Sequence, residues 1–127
     1  MAKVVKQLKI RVADKVGKLA EVTEALKAAK VNIVACCAWV MEGKGHMLLL
    51  TDDNAKARKA LVGKVEACET ATAVALTLPH KVGALADAAA KLAQAGLQVH
   101  LVYATTAGAD ALVLLSTSDD KKAASLI

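Results

Sequence analysis

Two short segments of this 127-residue chain combine residue types that could hold a charged small molecule. The first is Asp14-Lys15-Val16-Gly17-Lys18-Leu19, set between an apolar alternating run and an amphipathic helical pattern. The second is His80-Lys81-Val82-Gly83-Ala84, in the same setting 66 residues further on. A strand, a tight glycine turn and a helix start follow one another in both. The first N–H groups of such a helix point outward with partial positive charge, so they can meet a carboxylate or another anion. Histidine changes charge near neutral pH. If His80 lines a ligand pocket, affinity should therefore vary between about pH 6 and 8.

Other chemistries find less support. Neither turn carries the GxGxxG or GxxxxGK[ST] spacing of a phosphate loop. Cys36 and Cys37 are adjacent, so in a strand they point to opposite faces and cannot clamp a metal as CxxC does. Buried structural thiols are expected there. His46, His80 and His100 are far apart, with no carboxylate at metal-ligand spacing. No Ser/His/Asp or Cys/His arrangement is suggested. The expectation is a protein that is not an enzyme, with no metal and no cofactor.

The elements that must position these turns follow from periodicity. Val4 to Val12 alternates as a strand, and Leu19, Val22, Thr23 and Leu26 mark one helix face. Val31 to Met41 reads as a second strand, Glu42 to Gly45 as a hairpin turn and His46 to Thr51 as a third strand. Asp52, Asp53 and Asn54 offer caps for a short helix through Leu61. Val65 to Leu78 divides into two strands, Val65–Glu69 and Thr72–Leu78. The order then repeats: turn at Pro79 to Val82, helix face at Leu85, Ala88, Ala89 and Leu92, and strands Leu97–Thr105 and Leu112–Thr117. A last helix starts at Asp119–Asp120.

The fold class is therefore α+β: two ferredoxin-like βαββαβ units, residues 1–70 and 71–127, with antiparallel sheets and helices on one face. The second unit is expected to lack its last strand. Two units this small need a shared core, an interface or dimerisation. A 56% hydrophobic content argues for a compact fold. The formal charge of +5 is spread over scattered lysines rather than a stripe, as on a solvated surface. With one Trp, one Tyr and no Phe, an aromatic platform for single-stranded nucleic acid is not expected. No apolar run approaches the roughly 18 residues of a membrane span. Three cysteines without a secretory leader fit the cytoplasm.

An acidic-x-x-Gly-x-Leu turn after strand one, a helix, and Val31-Asn32-Ile33 opening strand two together resemble the ACT domain. Pro79, Gly83, Leu85, Leu92 and Gly96-Leu97-Gln98-Val99 repeat the likeness. The tandem order resembles stand-alone proteins of two ACT units. The resemblance implies a small-molecule sensor, usually for an amino acid, beside a regulated metabolic enzyme. It also implies ligand sites between paired ACT units. Carried over, the site residues are Asp14, Lys15, Val16, Gly17, Lys18, Leu19, Asn32 and Ile33, with His80, Lys81, Val82, Gly83, Ala84 and Gln98. The ligand's carboxylate would meet the helix amides, and its ammonium would meet Asp14 and the amide oxygens of Asn32 or Gln98. Two departures stand out: Val16 and Val82 replace the proline frequent before the glycine, and His80 replaces Asp14 in the second copy. A homodimer is expected. The alternatives are an assembly subunit without ligand and an RNA-binding module of the same element order.

Overall fold

The computed structural model describes residues 2–127. The elements are β1 (Ala2–Ala13), α1 (Lys18–Ala28), β2 (Ile33–Met41), β3 (Lys44–Thr51), α2 (Asn54–Ala60) and β4 (Ala67–Pro79), followed by α3 (Ala84–Gln94), β5 (Val99–Ala107), β6 (Asp110–Thr117) and α4 (Asp120–Leu126). They form two compact units. One is Lys6–Ala71; the other is Thr72–Ile127 together with residues 2–5. Each long strand thus serves two units, β1 changing over after Val5 and β4 after Ala71.

In the Lys6–Ala71 unit the sheet order is β2, β3, β1 and the start of β4. β3 pairs antiparallel with both β1 and β2. Leu8, Ile10 and Val12 alternate along β1, so all three face one side. Met47 and Leu49 lie on that side too, packed with Val22 and Leu26 of α1 and Ala57 and Leu61 beyond it. Burying each of the Val, Leu, Ile and Met side chains contributes about 1.5–3 kcal/mol. The helices therefore cover one face of the sheet. Met47, Leu48 and Leu49 are all buried; since side chains alternate along a strand, Leu48 points away from the helices, so the sheet is covered on both faces at this position.

In the other unit the order is residues 2–5 of β1, then β4, β6 and β5. Its core joins Val74, Leu76, Val113 and Leu115 to Ala88, Leu92 and Ala123, with Ala2 packed at the border. On the side of β4 away from β6, the neighbouring strand in this unit is residues 2–5 of β1.

Several boundaries differ from the sequence expectation. The two strands expected between Val65 and Leu78 are one strand, Ala67–Pro79, because no glycine or proline interrupts the Thr/Val-rich run. The first hairpin turns in two residues, Glu42 and Gly43, so β3 begins at Lys44 rather than His46. Positive φ at both turn residues, 54° and 75°, is what a type I′ turn requires. Leu19 and Leu85 were expected on the buried helix faces but are 56% and 45% exposed, and Ala89 is exposed as well. The buried stripe runs along the i, i+4 ridge instead, through Val22 and Leu26 in α1 and through Ala84, Ala88 and Leu92 in α3.

Candidate functional site

Gly17 and Gly83 sit at the N-caps of α1 and α3 with φ of 90° and 87°, a left-handed backbone that favours glycine. Neither helix receives a side-chain cap. The turns close in the same way: Lys18 N–H donates to Lys15 O (3.4 Å) and Ala84 N–H to Lys81 O (3.3 Å). Glu21 N–H then donates to Gly17 O and Asp87 N–H to Gly83 O, both at 2.9 Å. A left-handed cap without a side-chain acceptor leaves the first helical turn to an outside acceptor.

Around this framework the two turns differ. Asp14, Lys15 and Val16 are exposed, and Lys18 Nζ is bridged to Glu21 Oε2 at 3.1 Å. At the second turn His80 is exposed and its backbone N–H donates to Ala109 O at 2.8 Å, tying the turn to the β5–β6 hairpin. Lys81 and Ala84 also line a cavity of about 210 Å³ that contains Asp87 and Lys91.

Asn32 and Gln98 open their strands by a shared device. Asn32 N–H donates to Asp52 Oδ1 (3.0 Å), and Asp52 N–H returns to Asn32 O (3.1 Å). Gln98 and Ser118 repeat this at 3.1 and 2.9 Å. Both backbones are fixed, while the side chains of Asn32 and Gln98 lie in exposed residues. Asn32 and Ile33 line an open cavity of about 420 Å³ with Lys27 and Lys30.

Within a unit the structure does not bring all these residues together. Gly17 precedes α1 and Asn32 follows it, so eleven helical residues separate them, roughly 16 Å at 1.5 Å per residue. The same holds for Gly83 and Gln98 across α3. One amino acid cannot touch both ends of the same helix.

Two features go beyond the sequence reading. The first is that the caps expected at Asp53 and at the Asp119–Asp120 helix start are one doubled device. Asp53 accepts from Lys56 N–H and Asp119 from Lys122 N–H, both at 3.0 Å. Thr51 Oγ1 donates to Asn54 Oδ1 (2.6 Å) and Thr117 Oγ1 to Asp120 Oδ1 (2.8 Å). The signal was present as Thr-x-Asp-Asn and Thr-x-Asp-Asp at the same 66-residue offset. The second is a stack between Trp39 and His46, with ring centroids 5.6 Å apart and planes 16° apart. It depends on strand register and has no sequence signal.

Among the described residues no group of three or more His, Cys, Asp or Glu could hold a metal ion. The buried thiols expected at Cys36 and Cys37 are not found: Cys36 is exposed and Cys37 half-buried, because they lie on the edge strand β2. Partial desolvation still pushes the Cys36 thiol up, with Cys37 adding to it, and raises Cys68 against the opposing pull of Arg58. Neither is an activated thiolate. No helix of the described residues is long and apolar enough to cross a membrane.

Two βαββαβ units with uncapped glycine turns before their first helices define a tandem ferredoxin-like protein. The chain belongs to the family of ACT domain pairs, whose model matches residues 3–127. Among solved structures it is similar to protein BT0572 from Bacteroides thetaiotaomicron, with 30% identity and a TM-score of 0.91. That match covers 98% of this chain and 87% of the other. It is also similar to the regulatory subunit of aspartate kinase from Thermus thermophilus in a ligand-free form: 13% identity, TM-score 0.71, 98% and 93% covered. The aspartate kinase of Clostridium acetobutylicum matches at 16% identity and a TM-score of 0.65, over 97% of this chain but 32% of that enzyme. At 13–16% identity the likeness is one of fold. A comparison with curated protein sequences finds no match.

Proposed function

We propose that this protein is a non-enzymatic regulator that binds a small molecule, an amino acid, and works beside a metabolic enzyme. The observation that carries the reading is the uncapped first turn of α1, held open by Gly17 at φ 90°. There the ligand's carboxylate meets backbone amides, and Asp14 offers an acceptor for its ammonium. Family membership and the fold shared with a regulatory subunit of aspartate kinase support the reading. Asn32 lies beyond the far end of α1, so it cannot complete the grip at its own unit's turn; on this reading a second copy of the chain supplies the strand-opening residue. A cytoplasmic setting agrees with three free cysteines.

Ligand that binds only the folded state adds RT ln(1 + [L]/Kd), about 2.7 kcal/mol at a hundredfold excess over Kd. A thermal-shift screen against the twenty amino acids should therefore find one that stabilises the protein, with the shift lost in Gly17→Ala. No shift with any of them would sink this reading.

A second reading, an assembly subunit without ligand, is favoured by one observation. β2 is an edge strand of nine uncharged residues on which Val34, Val40 and Met41 are exposed. Exposed uncharged edges invite pairing with another chain. Sedimentation should show a dimer that Val40→Lys weakens. A monomer in the wild type would remove both this reading and the completed ligand grip.

A further inference from the structure

The sheet of the Lys6–Ala71 unit has a second face, opposite the helices, with a composition of its own. Arg11 pairs with His46 across β1 and β3, and His46 pairs with Trp39 across β3 and β2. Directly paired residues point to the same side, so the three form one row across the sheet. Lys9 and Lys44 stand on the same face two residues away along their strands, one on each side of the row. Glu66 Oε2 accepts from Lys44 at 2.7 Å and Glu66 Oε1 from Arg11 at 3.4 Å. Three cations and one carboxylate leave the patch positive. Arg11 and Lys44 keep 50% and 44% of their side-chain surface exposed, and Trp39 is 38% exposed.

The row is peculiar to this unit. Sixty-six residues on, Arg11, His46 and Trp39 become Thr77, Leu112 and Thr105, and Lys44 becomes Asp110. β2 is the edge of its sheet, so the ring face of Trp39 turned away from His46 has no neighbouring strand beside it. The distance from Trp39 to Arg11 is two strand spacings, roughly 10 Å; a base on the outer face of Trp39 lies one ring thickness further out, so its phosphates turn back over the Trp39–His46 stack toward the long side chains of Lys44 and Arg11.

We propose that this row is a nucleotide site: the base of a nucleoside diphosphate stacks on Trp39, and its phosphates lie among Lys9, Arg11 and Lys44. Charge complementarity selects this class. A free amino acid would bring an ammonium against three cations, whereas a polyanion is attracted by all three. Stacking of a base on an aromatic ring is tolerant of base identity, so the phosphates rather than the base set affinity. The site is separate from the glycine turns, and its failure leaves the amino-acid reading standing.

Trp39 is the only tryptophan, so its emission reports the contact directly. Titration of the full chain with ADP should give a saturable quench, weaker with adenosine and absent with inorganic phosphate. Arg11→Ala and Lys9→Ala should each weaken ADP about tenfold, and added salt should weaken it further. Calorimetry on Trp39→Leu, with a melting curve showing that it folds, should find the ADP signal lost. The proposal is overturned by the lack of a saturable change at millimolar ADP. Equal affinity for adenosine and ADP, or unchanged ADP binding in the Arg11→Ala and Lys9→Ala variants, would overturn it as well.

Discussion

Lys30, just past the C-cap of α1, has a left-handed φ of 59°, where its counterpart after α3 is Gly96 at 74°. Both positions make the same paired bonds: Lys30 N–H to Lys27 O and Val31 N–H to Leu26 O, then Gly96 N–H to Ala93 O and Leu97 N–H to Leu92 O. A non-glycine residue in this conformation carries roughly 1–2 kcal/mol of strain. Glycine relieves it but frees the unfolded chain by about 0.5–1 kcal/mol. Lys30→Gly should therefore raise stability by about 0.5–1 kcal/mol in urea unfolding. At Gly17 the argument reverses: an added Cβ meets nothing within 4 Å, so Gly17→Ala should fold while losing about 0.5–1 kcal/mol, the backbone strain less the unfolded-state gain. Glu66 makes a prediction in pH. The Lys44 hydrogen bond, then the charges of Lys44 and the contact with Arg11, hold its carboxyl below the ordinary 4.5. A carboxylate with a lowered folded pKa contributes stability above its unfolded pKa and loses it as pH falls through the folded one. Glu66→Gln should thus be slightly less stable at pH 7, and the gap should close as the pH falls below 4.5. A gap that persists in acid would show that Glu66 acts through packing.

At the scale of elements, the short helices depend on their caps more than on their own propensity, since seven residues cannot hold a helix unaided. Asp53→Ala and Asp119→Ala should each cost about 1 kcal/mol. Asp120 does more than its neighbour, accepting from Thr117 N–H and Oγ1 and from Thr72 Oγ1 at 2.7 Å. The bond to Thr72 ties α4 to the start of that unit's share of β4. α1 and α3 rest instead on buried leucines: Leu26 and Leu92 are each 1% exposed. Truncating either to Ala should cost about 2–5 kcal/mol, and equal costs in chemical denaturation would show that the two cores are equally unyielding.

For the molecule as a whole, the division of β1 and β4 between units matters most. Residues 2–5 belong with Thr72–Ile127 and flank β4 there. Removing them should expose an edge of β4 and unpair its backbone. Hydrogen exchange should then speed up at 72–79, while 44–51 in the other unit keeps its protection. Unchanged exchange at 72–79 would mean that these four residues add no stability to the unit they join.

Much of this fold was legible in the chain. The 66-residue repeat, the apolar periodicities and the glycine turns placed every helix and the order of the strands, because each depends on residues close in sequence. The left-handed N-caps at Gly17 and Gly83 and the cap at Asp53 followed from local chemistry alone. What the chain could not reveal depends on partners distant in sequence. One uninterrupted β4, a first strand shared between the two units and the Arg11–His46–Trp39 row all follow from strand pairing. The candidate ligand site was legible only in part. Asn32 and Gly17 are only fifteen positions apart in sequence, yet a rigid helix holds them at opposite ends. Local sequence sets the turns and caps; tertiary pairing decides which side chains face the same solvent.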